Sequence, residues 1–229
     1  MPLLQGILHE RQHQIVHPRM AAMEVIIAGA GMLGSWSAHA LSRAVRQVHI
    51  FDGDDMVEDV NVGVQAYIEE NIGLRKGQCL EQSLFGLSLK SYAELFPHQS
   101  APTNVGAVIS CVDTLDGRAA IAKWSMKHNI PLFIDTRAQG ENAVLCSATP
   151  EQIPEYLGAL PREEDVPDVP CGTEGTAFMG MWVASQVTCW INNWCRGMKL
   201  PKMLVWHVGT NMEINRLQYG EEDSDHDIT

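Results

Sequence analysis

The chain has 229 residues, 45% of them hydrophobic, and 16 Lys and Arg against 28 Asp and Glu give a formal net charge of −12. That composition supplies a sizeable core and excludes a wholly disordered chain, while the acidic balance disfavours non-specific binding to nucleic acid or to anionic membrane surfaces. No apolar run approaches the roughly 20 residues that span a bilayer, and the opening MPLLQGILHERQHQ lacks the pattern of a signal peptide. Six cysteines without short paired spacings suggest reduced thiols in a cytoplasmic protein.

In chain order, Glu24–Ala28 (EVIIA) is a short β-branched apolar run, as expected of a buried parallel strand. Gly29, Gly31 and Gly34 follow as G-x-G-x-x-G, and helical periodicity then runs through Trp36, Ala40, Leu41 and Val45. Val48–Phe51 is a second strand, ending on Asp52. Residues 73–84 can be helical, 105–112 form another buried strand and 116–128 a helix. Two further strands are expected at 131–134 and 143–146. Pro161 to Pro170 reads as a long acidic loop, because so many prolines exclude regular helix or central strand. Residues 176–194 predict a long helix with Trp190 and Trp194 on one face, expected in the core or, more sharply, at a dimer face. Residues 204–217 alternate as strands do, and Glu221 to Asp227 carries five carboxylates without a Lys or Arg, as a solvated tail would.

This order predicts an α/β fold: a Rossmann-like, doubly wound, mostly parallel sheet with a C-terminal antiparallel extension. One domain is expected over 1–220, with a nucleotide-binding core at 24–150, a crossover loop at 151–175, a C-terminal helix and hairpin at 176–218, and an acidic tail at 221–229. Glycines between a strand and a helix let the backbone approach a phosphate, and the helix N-terminus offers it free N–H groups. A carboxylate at Asp52 can accept from ribose hydroxyls. These features alone fit NAD, FAD or ATP.

The residues after Asp52 narrow the choice. They read Val57-Glu58-Asp59-Val60-Asn61-Val62-Gly63-Val64-Gln65, then Ile72-Gly73-Leu74-Arg75-Lys76, and later Asp113 with Arg118 five residues on. In combination with the glycine loop, this resembles the ThiF/MoeB and ubiquitin-activating-enzyme superfamily, whose motif order is glycine loop, D-x-D, V-E-x-x-N-x-x-(R)-Q, I-G-x-x-K and a strand ending in Asp. The likeness covers roughly residues 10 to 150. It implies ATP-dependent adenylation of the C-terminal carboxylate of a ubiquitin-like or sulfur-carrier protein, with ATP and Mg as cofactors and a homodimer as the assembly. It further implies that Gly29, Gly31 and Gly34 cradle the nucleotide. Lys76 would meet the phosphates, Asp113 would hold Mg, and Asn61 and Gln65 would orient the triphosphate. Asp52 or Asp54 would bind the ribose; the spacing to Asn61 is one residue longer than usual and leaves that choice open. Arg118 is expected to be a structural helix residue paired with an acid.

Three departures matter. The family's Arg before the Gln is Val64 here, which removes a cation from the phosphate site. The N-terminal Arg-Gln that reaches a partner's site is either Arg11-Gln12 or His13-Gln14, with Arg11 the better phosphate cation. None of the six cysteines forms a C-x-x-C pair, so no structural zinc is expected, nor a metal at His9, His13 and His17. Cys171, ahead of the long helix, is either a structural turn residue or a thioester- or persulfide-forming nucleophile. Competing readings are a catalytically weakened nucleotide-binding scaffold of the same family, an enzyme acting on a different carboxylate, and an NAD- or FAD-dependent oxidoreductase.

Overall fold

In the computed structural model, described at residues 12, 14–53, 55–139, 141–161, 176–208 and 210–219, eight strands form one sheet in the order β3-β2-β1-β4-β5-β6-β7-β8. The strands are β1 (Glu24–Ala28), β2 (Gln47–Phe51), β3 (Leu89–Tyr92), β4 (Ala107–Ser110), β5 (Phe133–Gln139), β6 (Asn142–Ala148), β7 (Met203–His207) and β8 (Met212–Leu217). The helices are α1 (Pro18–Ala21), α2 (Met32–Leu41), α3 (Lys76–Ser83), α4 (Leu115–Lys127), α5 (Ile153–Gly158) and α6 (Ala177–Cys195). Strands β3, β2, β1, β4 and β5 pair in parallel, and β6, β7 and β8 continue the sheet antiparallel. The expected doubly wound sheet with an antiparallel extension is what the chain forms.

The central parallel strands β1, β2 and β4 are buried on both faces, which explains their apolar runs. Val25, Ile27, Val48 and Ile50 pack beneath α2 and α6, whereas Ile26, Ala28, Phe51 and Phe133 face the α4 and α5 side. Gly180 brings α6 against α2, since a Cβ there would lie 2.3 Å from the Trp36 ring. Trp190 lies in this core; Trp194 is half-buried, with the Arg19 guanidinium 5.3 Å from its ring centre.

Several elements differ from expectation. Helix α3 begins at Lys76 rather than at residue 73, because Gly73 has φ +80° and Met56 and Arg75 form an antiparallel bridge. Strand β3 carries no clear apolar signal, being a four-residue edge strand of intermediate burial. Within the expected crossover loop, 153–158 is helical, with Pro154 tolerated in its first turn. Strand β5 runs on to Gln139, well beyond the expected 134. Among the described cysteines, Cys79, Cys146 and Cys195 are buried, Cys111 is half-buried and Cys189 is exposed.

Candidate functional site

Because the chain winds outward from β1 to β3 and then returns to place β4 on the other side of β1, the sheet has its switch point between β1 and β4. Crevices at the carboxyl ends of strands at such a point receive ligands. The loops after these two strands pack against each other: Cys111 N–H donates to the Ala28 carbonyl at 2.8 Å. Gly29 has φ +95°, and a Cβ on it would sit 2.8 Å from the Cys111 carbonyl oxygen. A Cβ on Gly34 would fall 1.8 Å from the Gly29 carbonyl oxygen, so these two glycines close the turn. Gly31 has no such packing role, since a Cβ there would meet nothing within 4 Å. It is the N-cap of α2 without a side-chain cap, which leaves first-turn N–H groups of a ten-residue helix for an anion.

Asp52, at the end of β2, accepts from the Ala30 N–H through Oδ1 at 3.0 Å, while its buried Oδ2 has no partner. Burial pushes this carboxyl above its ordinary range; the Ala30 hydrogen bond and the Lys76 charge pull the other way. A buried, unpaired carboxylate oxygen beside an uncapped helix start is costly unless a ligand donates to it.

Residues 61–67 are fastened to this loop by three bonds. Trp36 Nε1 donates to the Val64 carbonyl at 2.9 Å, Ala66 N–H donates to Ser35 Oγ at 3.1 Å, and Tyr67 Oη donates to the Ala30 carbonyl at 2.7 Å. The Gln65 Oε1 atom is buried without a partner. Asn61 has spent its Oδ1 on the Glu58 N–H, at 3.0 Å, as the cap of a 3-10 turn, which leaves its amide nitrogen as the group available to a ligand. Lys76 is only 8% exposed, and its Nζ lies 3.3 Å from Asp55 Oδ2. The backbones of the same two residues are also joined, Lys76 N–H to Asp55 O at 2.9 Å. The fold thus brings Gly29, Gly31, Gly34, Asp52, Asn61, Gln65 and Lys76 to one end of the sheet. Asp113 is exposed on the loop after β4, ahead of the Thr114 cap of α4. Asp54, Arg11, His13 and Cys171 lie outside the described residues, as do 162–175 and the acidic tail.

Arg118 pairs with an acid as expected. It is buried, bonded to Asp135 Oδ1 and the Val112 carbonyl, and donates to the Thr136 carbonyl at 2.8 Å. Cys111 Sγ accepts from Thr136 Oγ1 at 3.3 Å, and burial pushes its thiol up to about 12, which leaves it protonated.

Asp55, Tyr67, Asp135 and Arg137 were not singled out in the sequence. The one-residue-longer spacing between Asp52 and Asn61 is the sequence feature nearest to Asp55, whose carboxylate meets Lys76. The polar run Asp135-Thr136-Arg137 stands out at the end of an apolar strand, but nothing local marks its pairing with Arg118. Nothing local distinguishes Tyr67 from a core tyrosine. Among the described residues no group of three or more His, Cys, Asp or Glu could hold a metal, and no helix is long and apolar enough to cross a membrane.

Comparison with known proteins bears on the fold and the family. A tRNA threonylcarbamoyladenosine dehydratase of Escherichia coli K12 is 25% identical over 131 residues, which is 53% of this chain and 48% of the relative, so the match spans about half of that protein. The crystal structure of E. coli MccB with ATP superposes with a TM-score of 0.68 at 14% identity, over 97% of this chain and 68% of that one. That of PaaA gives 0.65 at 14%, over 94% and 80%. At such identities the likeness speaks to the fold. The family model described as ThiF family matches residues 9–225, nearly the whole chain, and the chain belongs to the ThiF family.

Proposed function

We propose that this chain adenylates a carboxylate at the expense of ATP: a carboxylate oxygen attacks the α-phosphorus, the bond to the bridging oxygen breaks, and pyrophosphate leaves. The observation that carries the reading is the Asp52 Oδ2 atom, buried and unpartnered beside the uncapped start of α2, with Lys76 held nearby. Ribose hydroxyls supply the donors that Asp52 lacks, and the glycine-loop N–H groups and Lys76 meet the phosphates. Such catalysis is mostly positioning and neutralisation of developing negative charge. Gln65, with a buried free Oε1, and the Asn61 amide nitrogen orient the triphosphate. The loop carboxylate of Asp113 is of the right chemistry for Mg, which when bound neutralises phosphate charge. ATP is the nucleotide with which the E. coli tRNA threonylcarbamoyladenosine dehydratase and MccB have been crystallised.

For the substrate, we favour the C-terminal carboxylate of a ubiquitin-like or sulfur-carrier protein, with residues 1–220 acting as one cytoplasmic adenylation domain. MccB, crystallised with AMPCPP and MccA, is a relative of this fold with a partner bound. The net charge of −12 favours a protein over a tRNA substrate. A homodimer is supported by the exposed Val60, Ile68, Ile72 and Leu74 around the site loop. Arg11 is our candidate for a cation supplied across that dimer and Cys171 for an acyl acceptor.

ATP–pyrophosphate exchange with and without ubiquitin-like C-terminal peptides tests the reading. Peptide-dependent exchange should fall about a hundredfold in Lys76→Ala and in Asp113→Ala. ATP binding without exchange would favour the scaffold reading, in which Val64 marks lost turnover, and binding of NAD in place of ATP would refute adenylation.

A further inference from the structure

Asp135 is fully buried and is gripped by two arginines: Arg118 on Oδ1 and Arg137, whose Nε lies 2.7 Å from Oδ2. One carboxylate therefore faces two cations. The titratable groups packed beside them do not restore the balance. Burial, with the Asp135 charge, pushes the Cys146 thiol up to about 12 and the Tyr156 phenol upward, so both are neutral at physiological pH. Tyr156 Oη, buried, makes no hydrogen bond of proper geometry even though the Asp135 charge acts on it. The cluster carries a surplus positive charge, and burying such a surplus is costly without a counter-anion.

The two arginines differ in what they have left. Arg118 spends its terminal nitrogens on Asp135, Val112 and Thr136. Arg137 spends only Nε, and its side chain is 24% exposed, so its outer nitrogens are held in a fixed orientation with no acceptor among the described residues. Their position is set by register. Strand β4 ends with Ser110 opposite Asp135, so Thr136 to Gln139 run past it alongside the loop that carries Asp113. Arg118 ties Asp135 to the Val112 carbonyl, one residue before Asp113. Thr136 reaches Cys111, whose carbonyl abuts Gly29. Contacts made by its neighbours Asp135 and Thr136 thus join this end of β5 to the loop after β4 and, through Cys111, to the glycine loop.

We propose that Arg137, oriented by Asp135, is an anion-binding residue of the nucleotide site that contacts an ATP phosphate and takes the place of the cation missing at Val64. The inference rests on the adenylation reading and adds a residue to it. Asp135 is here a positioning residue: it selects the guanidinium rotamer that turns the fork outward, and a rigid fork suits phosphate oxygens better than a mobile ammonium.

The test is calorimetric titration of the intact chain with ATP, AMP and adenosine. Arg137→Gln leaves the Asp135–Arg118 pair in place. It should bind ATP and AMP about tenfold or more weakly, with adenosine binding unchanged, and Arg137→Lys should recover part of the loss. Equal affinity of the wild type and both variants for ATP and AMP would overturn the proposal, and would leave adenylation standing if ATP binds; this is also the result if the fork instead meets the substrate's carboxylate. A parallel loss for adenosine would overturn it as well, by showing a general structural role. A wild-type chain that binds none of the three would overturn both readings.

Discussion

The two halves of the sheet are built on different terms. From β3 to β5 the strands run parallel and point their carboxyl ends at one crevice, with the central strands buried on both faces. From β6 to β8 they run antiparallel, and the outermost, β8, is exposed along nearly its whole length. A parallel strand must be covered by the helices that connect it, so its side chains are committed to packing and its loops are free for chemistry. An antiparallel edge is committed to little and remains open to whatever covers it. The proposed nucleotide chemistry belongs to the first half, and β5, parallel to β4 and antiparallel to β6, joins the two.

That junction is where the largest effect is expected. Asp135 is fully buried between Arg118 and Arg137, and Asp135→Ala strands the buried Arg118 guanidinium with only carbonyl partners. Removing one partner of a buried pair costs about 3–5 kcal/mol. An unfolding free energy lowered by that much in denaturant titration would place the joint between the halves at this residue. A change below about 1 kcal/mol would mean that the two carbonyls and water suffice for Arg118.

A smaller effect, confined to the parallel half, comes from Asp52. Its folded carboxyl titrates above the ordinary value, chiefly because it is buried. The folded state therefore holds its proton more tightly than the unfolded chain does. Stability contributed by this group is greatest at low pH and declines as pH rises from the ordinary carboxyl value through the raised one. Asp52→Asn should remove that slope from thermal unfolding curves measured against pH. If Asp52 meets the ribose as proposed, the substitution should also weaken ATP binding about tenfold at neutral pH, since the hydroxyls would donate to the ionised form. An unchanged slope would relocate the titration to another group.

How legible each half was in the sequence follows the same division. Strands β1 and β2, the glycine loop and α6 were readable because their signals are local: β-branched runs, glycines at fixed offsets, and a long apolar helix. The grouping of Asp52, Gln65 and Lys76 was readable through motif order. Strand β3 was not, since a short edge strand with one charged residue in four has no pattern to distinguish it. Helix α5 was hidden by its proline, which marks a break unless it stands in a first turn. Asp135 and Arg137 were hidden for a deeper reason. Their meaning comes from Arg118 on another element, and a pairing made across the fold leaves no trace in residue spacing.

The antiparallel half makes the smallest prediction. Met212 and Ile214 on β8 are 62% and 56% exposed, and β8 has β7 as its neighbour on one side only. Exposed apolar side chains on an edge strand contribute little to the chain that carries them, so Met212→Ser and Ile214→Ser should each change stability by less than about 0.5 kcal/mol. Denaturant unfolding at two protein concentrations checks this. A loss above about 1 kcal/mol would show that this face is covered in solution. If that loss grew with protein concentration, the cover would be a second copy of the chain; if it did not, the cover would belong to the same molecule. Either result would move β8 from the open half of the comparison to the committed one.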